Sequence, residues 1–350
     1  MAYTTIDKSK NHFNTVVYTG NASGNHGITG VNFRPDFLWI KPRSATDSHR
    51  FHSPLLTGSD YFLSSNTGNA EAQNAGCVSS FDSDGFTLNN ADSGWNGNSV
   101  NYVSWNWKGA GSGSGSTNTD GNMNSTVTVS ANATAGISVI TWTGSGNTTY
   151  NTIGHGLSAV PKFMLIKNRT DASNDWMVYH HVLGNASFFH LNTTDNEQAG
   201  TGILNSTTPT SSVITLGSDN KSNGTNDSMI CYAFAEKPGF SRIGVYRGNN
   251  NTDGSFVYTG FKPAWILMKR NTSGYNWSLV DTKRPGYNQT DKYLIPDTTA
   301  SEQSTAVDIL SHGFKLRTTG GNQNGSAVYY YAAFAEEPTV GSNNIPCTAR

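Results

Sequence analysis

Charge is scarce in this chain: 13% of its 350 residues are Asp, Glu, Lys or Arg, and the formal net charge is −1. With no basic run, the sequence lacks the electrostatic footprint of a nucleic-acid binder, and attraction to an acidic membrane fails for the same reason. Long apolar runs are missing too. Nothing approaches the roughly 20 residues that cross a bilayer, and residues 1–8 hold no apolar stretch of the signal-peptide kind, so no secretory leader is expected there. No segment sustains a 3.6-residue apolar period, which leaves room only for few and brief helices. Cysteine is rare: Cys77, Cys231 and Cys347 are odd in number and fall at unmatched places. A disulfide framework would pair them, so free thiols and assembly in a reducing cytosol are expected.

What is present is Asn, Gly, Ser and Thr, with β-branched and aromatic residues in short apolar runs. Turn residues break those runs about every 8 to 12 positions, the pattern of an all-β chain. One segment is written three times: Pro35-Asp36-Phe37-Leu38-Trp39-Ile40-Lys41, Pro161-Lys162-Phe163-Met164-Leu165-Ile166-Lys167 and Pro263-Ala264-Trp265-Ile266-Leu267-Met268-Lys269. An aromatic-x-Gly stretch precedes each copy (Tyr18-Thr19-Gly20, Trp142-Thr143-Gly144, Tyr246-Arg247-Gly248), and an aromatic strand closes each. From the proline to the closing aromatic (Trp105, Phe234, Phe334) the offsets are 70, 73 and 71 residues. Three anchors in register identify three tandem copies of one module of about 100 residues, near the usual domain size.

The fold expected is three tandem antiparallel β-sandwich modules, lectin-like or jelly-roll-like. The boundaries read as an N-terminal arm over 1–12, a first repeat over 13–108, a Gly/Ser-rich linker over 109–136, a second repeat over 137–239, a third over 240–338 and a C-terminal tail over 339–350. The linker composition is that of flexible coil. It predicts that repeats two and three dock rigidly while repeat one moves relative to them. In repeat three, seven strands are predicted, over 243–247, 256–259, 264–269, 277–280, 293–295, 314–318 and 327–334. The run Phe37-Leu38-Trp39-Ile40 and its two counterparts suit a strand buried on both faces.

Catalysis finds no consistent carrier. Glu236 and Glu336 share an aligned position that Trp107 takes in repeat one, so no carboxylate pair for glycosidase chemistry is held in all three copies. Ser23-Gly24-Asn25-His26 reads as a surface turn, and the 109–115 glycines lack the Lys-Ser/Thr of a phosphate loop. His49, His52, His180 and His181 have no Cys or acidic partner at ligand spacing, and Asp82-x-Asp84-Gly85 lacks the distal Glu of a calcium loop. No metal and no cofactor are expected. Among the aromatics, Phe51, Trp176 and Trp277 align and read as core, as do Trp39, Trp105 and Trp265. Trp95, Tyr150 and Tyr275 sit in polar loops instead, and they are the candidate glycan-binding residues. A ring flanked by Asn and Asp can hold a sugar by stacking and amide hydrogen bonds.

The repeats resemble a family of tail-fibre-like virion proteins of marine tailed bacteriophages. The matching residues are 1–7, 18–21, Ser104-Trp105-Asn106-Trp107-Lys108, the 258–265 block, the 308–315 block, Ala332-Ala333-Phe334-Ala335-Glu336 and 345–350. The resemblance covers essentially the whole chain and carries no catalytic motif. It implies a non-enzymatic virion component, assembled in the host cytoplasm and exposed outside the cell. The leading expectation is a tail fibre or receptor-binding appendage that contacts bacterial surface polysaccharide, built with other virion proteins as a homo-oligomer, a trimer above all. A stiff rod of tandem modules would serve that role. The alternatives are a capsid decoration or head-fibre protein, and a glycan depolymerase.

Overall fold

A computed structural model describes residues 5–123, 127–149, 151–284, 288 and 290–336. Apart from a one-turn helix at Asn220–Asn223 and a 3-10 turn at Ser9–Asn11, the regular structure of these residues is strand, as expected. Module one holds β1 (Phe13–Thr19), β2 (His26–Ile28), β3 (Phe37–Pro42), β4 (Arg50–His52), β5 (Tyr61–Ser64), β6 (Ala72–Gln73), β7 (Ser80–Asp82), β8 (Gly85–Leu88) and β9 (Asn101–Trp107). Module two holds β10 (Ser116–Thr117), β11 (Thr128–Asn132), β12 (Ile137–Thr143), β13 (Thr152–Gly154), β14 (Phe163–Asn168), β15 (Met177–His180), β16 (Ser187–His190), β17 (Gln198–Ala199), β18 (Val213–Thr215) and β19 (Ser228–Phe234). Module three holds β20 (Ser241–Arg247), β21 (Phe256–Tyr258), β22 (Pro263–Arg270), β23 (Ser278–Asp281), β24 (Thr290–Tyr293), β25 (Gln303–Leu310), β26 (Gly313–Leu316) and β27 (Val328–Ala335). Among the described residues module three thus has eight strands, not seven: β25 was missed, because its polar half (Gln303, Ser304, Thr305) hides the alternation of Val307 and Ile309.

Every module is a two-sheet antiparallel sandwich. The large sheets run β1-β9-β3-β4-β5-β6, β10-β11-β12-β19-β14-β15-β16-β17 and β20-β27-β22-β23; the small ones are β2-β8-β7, β13-β18 and β21-β26-β25-β24. In each, the first and last long strands of the module pair, and the repeated Pro-containing segment lies beside the last. Phe37 pairs with Trp107, Phe163 with Phe234 and Trp265 with Phe334. The closing aromatic of module one is therefore Trp107 rather than Trp105, and the position of Glu236 and Glu336 falls to Gly109. Likewise Trp39 pairs with Phe51, Leu165 with Val178 and Leu267 with Leu279. Trp176 and Trp277 consequently match His49, not Phe51.

The aromatic-x-Gly stretch closes each sandwich in the same way. A side chain on Gly20, Gly144 or Gly248 would collide with the carbonyl oxygen of Gly97, Gly224 or Gly325. The residue after each of those first glycines donates its N–H to a buried asparagine: Asn21 to Asn96 Oδ1 (3.0 Å), Ser145 to Asn223 Oδ1 (2.8 Å) and Asn249 to Asn324 Oδ1 (3.1 Å). An Asn-Gly loop is thus a further repeated element, fixed by hydrogen bonding of a buried amide.

The three modules do not form a rod. Leu38 and Ile40 face the small sheet of module one, while Phe37 and Trp39 face outward into a core shared by all three modules. In that shared core Phe37 stacks on Tyr232 at 4.0 Å, Trp107 meets Trp265 at 5.4 Å, and Phe234 meets Phe334 at 5.3 Å. Each of these pairs crosses a different module boundary, so the modules close on one another. The expected strand buried on both faces is present, but its second face is covered by the other modules.

The expectation of a mobile first repeat fails for the same reason, and the linker is not free coil. Asp36 Oδ2 accepts the N–H groups of Gly109 (2.8 Å) and Gly111 (2.9 Å), and its Oδ1 accepts the Ser130 hydroxyl (2.7 Å). Farther along, β10 and β11 extend the large sheet of module two. The N-terminal arm is anchored by Ile6, which is buried in the shared core. The tail over 339–350, with Cys347, lies outside the described residues; Cys77 and Cys231 are buried free thiols.

Candidate functional site

Besides the buried asparagines that close each sandwich, the polar residues repeated in all three modules sit at the module boundaries. Lys41, Lys167 and Lys269, which end the repeated segment, are fully buried. Desolvation pushes each of them down to about 8. Lys167 Nζ donates to the carbonyls of Asn168 (2.8 Å) and Asn174 (2.8 Å) in its own module and of Gly68 (2.9 Å) in module one. Lys41 reaches Pro42 O (2.8 Å) and, across to module three, Thr299 O (3.3 Å). Lys269 reaches Tyr275 O (2.6 Å) and, across to module two, Thr194 O (3.4 Å). The order is cyclic: one to three, two to one, three to two.

A second set of contacts repeats that cycle two residues farther on. Arg43 pairs with Glu302 (2.7 Å), Arg169 with Glu71 (2.6 Å), and Asn271 Nδ2 donates to Glu197 (3.2 Å). In return the backbone N–H of Glu302 donates to Arg43 O, that of Glu71 to Arg169 O, and that of Glu197 to the Asn271 side chain. Trp176 Nε1 donates to Ser64 O and Trp277 Nε1 to His190 O, both at 2.8 Å. His49 holds that place in module one, beside the Ile295 backbone of module three. Glu71, Glu197 and Glu302 were missed in the sequence. They lie 36, 36 and 39 residues after the three prolines, a spacing legible once the search is for one carboxylate per copy instead of a pair. Their chemistry is that of clamps, each carboxylate held by a cation or an amide of the neighbouring module.

The structure separates the three predicted glycan-binding aromatics. Trp95 is fully buried, so it presents no face to a sugar. Its indole N–H donates to His52 Nε2 (2.7 Å), and the Arg50 guanidinium lies over its ring at 4.9 Å. It does have counterparts, since it precedes Asn96-Gly97 as Ser222 and Gln323 precede the matching Asn-Gly pairs; in module one the loop simply turns a large ring inward. Tyr275 is half-buried, with the Arg270 guanidinium 3.7 Å from its ring centre, so one face is already taken. Tyr150 lies outside the described residues. The histidines considered as ligands are acceptors or donors inside the fold: His49 Nδ1 accepts from Trp39 Nε1 (2.8 Å), and His180 and His181 face the carbonyls of Tyr331 and Ile243. Burial lowers all four, His52 and His180 to about 3.

An open groove of about 590 Å³ lies elsewhere, along β20 and β21, with His181 and Val182 of module two on its other side. These two strands are the free edges of the two sheets of module three. Phe256 is 50% exposed there and Tyr258 60%, beside Val245 and Val182. Arg242 and Arg247 are exposed on the same strand edge, and no carboxylate is among the groove's lining residues. The sequence places Phe256 and Tyr258 in a strand, and the alternation with buried Val257 shows that they point the other way. Nothing in the sequence shows what that outward face meets.

Fold and site together define a closed body of three β-sandwich modules in a single chain, with clamps at each boundary and an open groove on the third module. The chain belongs to the family described as a domain of unknown function (DUF7483), which it matches over residues 8–338. That span takes in all three modules. No curated protein matches the chain.

Proposed function

We propose that the protein is a non-enzymatic structural component of a tailed-bacteriophage virion, a tail fibre or receptor-binding appendage that contacts bacterial surface glycans without cleaving them. The observation that carries this reading is the use made of the repeated polar residues. Lysine, glutamate and indole groups at equivalent positions all bind one module to the next. Such a design favours a rigid display body over a catalyst, which would spend its fixed polar groups on a reacting centre. The threefold arrangement of a trimeric fibre is met here within one chain, so each copy can fold alone, and homo-oligomers form where copies gather on the particle and add avidity.

The same arrangement also favours a second reading, a decoration protein seated on a threefold position of the capsid lattice. A labelled antibody applied to intact particles separates the two. Label confined to the tail supports the attachment reading. Label spread evenly over the head overturns it in favour of decoration.

A further inference from the structure

The geometry points to the groove between β20 and β21 as a binding site for an anionic polysaccharide, with Tyr258 and Phe256 as the stacking surface and Arg247 as the partner of the acid groups. This rests on the glycan-contacting reading above and names the ligand class and the residues.

Internal symmetry supplies the first argument. Val257 pairs with Phe314 as Ile28 pairs with Phe86 and Ile153 with Ile214. Phe256 and Tyr258 therefore correspond to Gly27 and Thr29 in module one and to Thr152 and Gly154 in module two. The sandwich is built twice without aromatic rings at these places, so the fold does not need them. Two large exposed rings on neighbouring outward positions of one strand are a surface feature that calls for a ligand.

The state of the strand edge weighs against a peptide strand as the occupant. Ala335 N–H donates to Phe240 O, and Gly248 N–H donates to Ala327 O. Even-numbered residues of β20 thus pair with β27, and odd-numbered ones face the groove. Three of those outward groups, at the two ends of the groove-facing stretch, are capped by side chains. The Ile243 N–H donates to Glu236 Oε1 (3.2 Å), its carbonyl accepts from His181 Nε2 (3.1 Å), and the Arg247 carbonyl accepts the Ser255 hydroxyl (2.5 Å). A strand adding here would have to break these bonds to pair. In module two the matching edge is covered by β11 of the chain itself.

Charge decides the class of sugar. Two carboxylates flank the groove: Glu236, which accepts the Ile243 N–H, is held by Lys162 and by Arg242 (3.3 Å), and Asp253, two residues before Ser255, is held by Lys315 (2.9 Å) and Arg317 (3.3 Å). Arg247 has no ion-pair partner among the described residues, and its exposed guanidinium is free to take a carboxylate or sulfate in two parallel hydrogen bonds.

The test is binding of the full chain to polygalacturonate, alginate and dextran sulfate as anionic polymers and to dextran as the neutral one, by calorimetry, for the wild type, Tyr258→Ala and Arg247→Gln. Both substituted residues are exposed, and unchanged unfolding midpoints confirm intact folds. The expected result is binding to at least one anionic polymer that weakens with salt and falls roughly tenfold or more in each variant, with dextran inert. Dextran binding as tightly as the anionic polymers overturns the anionic class. Variants that bind like the wild type overturn the groove, yet leave the attachment reading standing if the protein still binds these polymers. No binding to any polymer overturns the site, and the antibody on intact particles then decides the attachment reading separately.

Discussion

At the scale of single residues, the same side-chain types serve opposite ends. Trp95 is a buried hydrogen-bond donor, whereas Tyr258 lies in the open; composition treats both as loop or strand aromatics. Replacing Trp95 with Ala should therefore cost stability, about 3–5 kcal/mol for a buried indole, read as a lower urea midpoint. Polysaccharide binding per folded molecule should not change. The buried titratable groups set the pH dependence. An unfolded histidine titrates near 6.5, but His52 and His180 in the fold are lowered to about 3 by burial. Between those values the unfolded chain binds more protons, so stability is full above about pH 6.5 and is lost on acidification. The three lysines, lowered to about 8, add stability as pH rises from about 8 toward the unfolded value near 10.4. Buried Tyr18 and Tyr246, raised by desolvation, reverse the trend once unfolded tyrosine ionises near 10. Urea midpoints should thus climb from pH 5 to about 9, and Lys167→Met should flatten the alkaline part of the climb.

At the scale of elements, the segment after Trp107 is the clearest case of a composition overruled. Its glycines and serines are those of a flexible linker, yet Asp36 gathers three donors from it and β10 and β11 continue it as sheet. Asp36→Ala leaves those donors without their acceptor at a site where water is scarce, a loss of about 1–3 kcal/mol. Amide exchange across residues 109–117 should speed up in that variant while β12 and β19 stay protected; unchanged exchange would mean that Asp36 does not hold the segment. The extra strands also cover β12, whose counterparts β1 and β20 are edge strands.

At the scale of the whole molecule, the shared core makes the three modules one folding unit. Phe37, Trp107, Tyr232, Phe234, Trp265 and Phe334 bury against residues of other modules, each contributing about 1.5–3 kcal/mol by burial. A module taken alone would expose that face. The full chain should unfold in a single transition with coincident fluorescence and circular-dichroism curves, and residues 128–240 expressed alone should not fold. It should also run as a folded monomer in light scattering, since the threefold contacts are satisfied internally. Separate transitions for the repeats would contradict the shared core.

The sequence by itself determined the strand content, the threefold repetition and the double-sided burial of the Pro-containing segment. Each is local, written in alternation, turn residues and spacing. It also held the Glu71, Glu197 and Glu302 positions, though no pattern within one repeat marks them as clamps. Only the tertiary structure decided what covers the second face of Phe37 and Trp39, because an apolar side chain is equally satisfied by its own module, by a neighbour or by another chain. The same holds for Trp95 and Tyr258. Whether a ring lies inside or outside depends on which elements pack over it, and that is settled by the closing of three modules on one core.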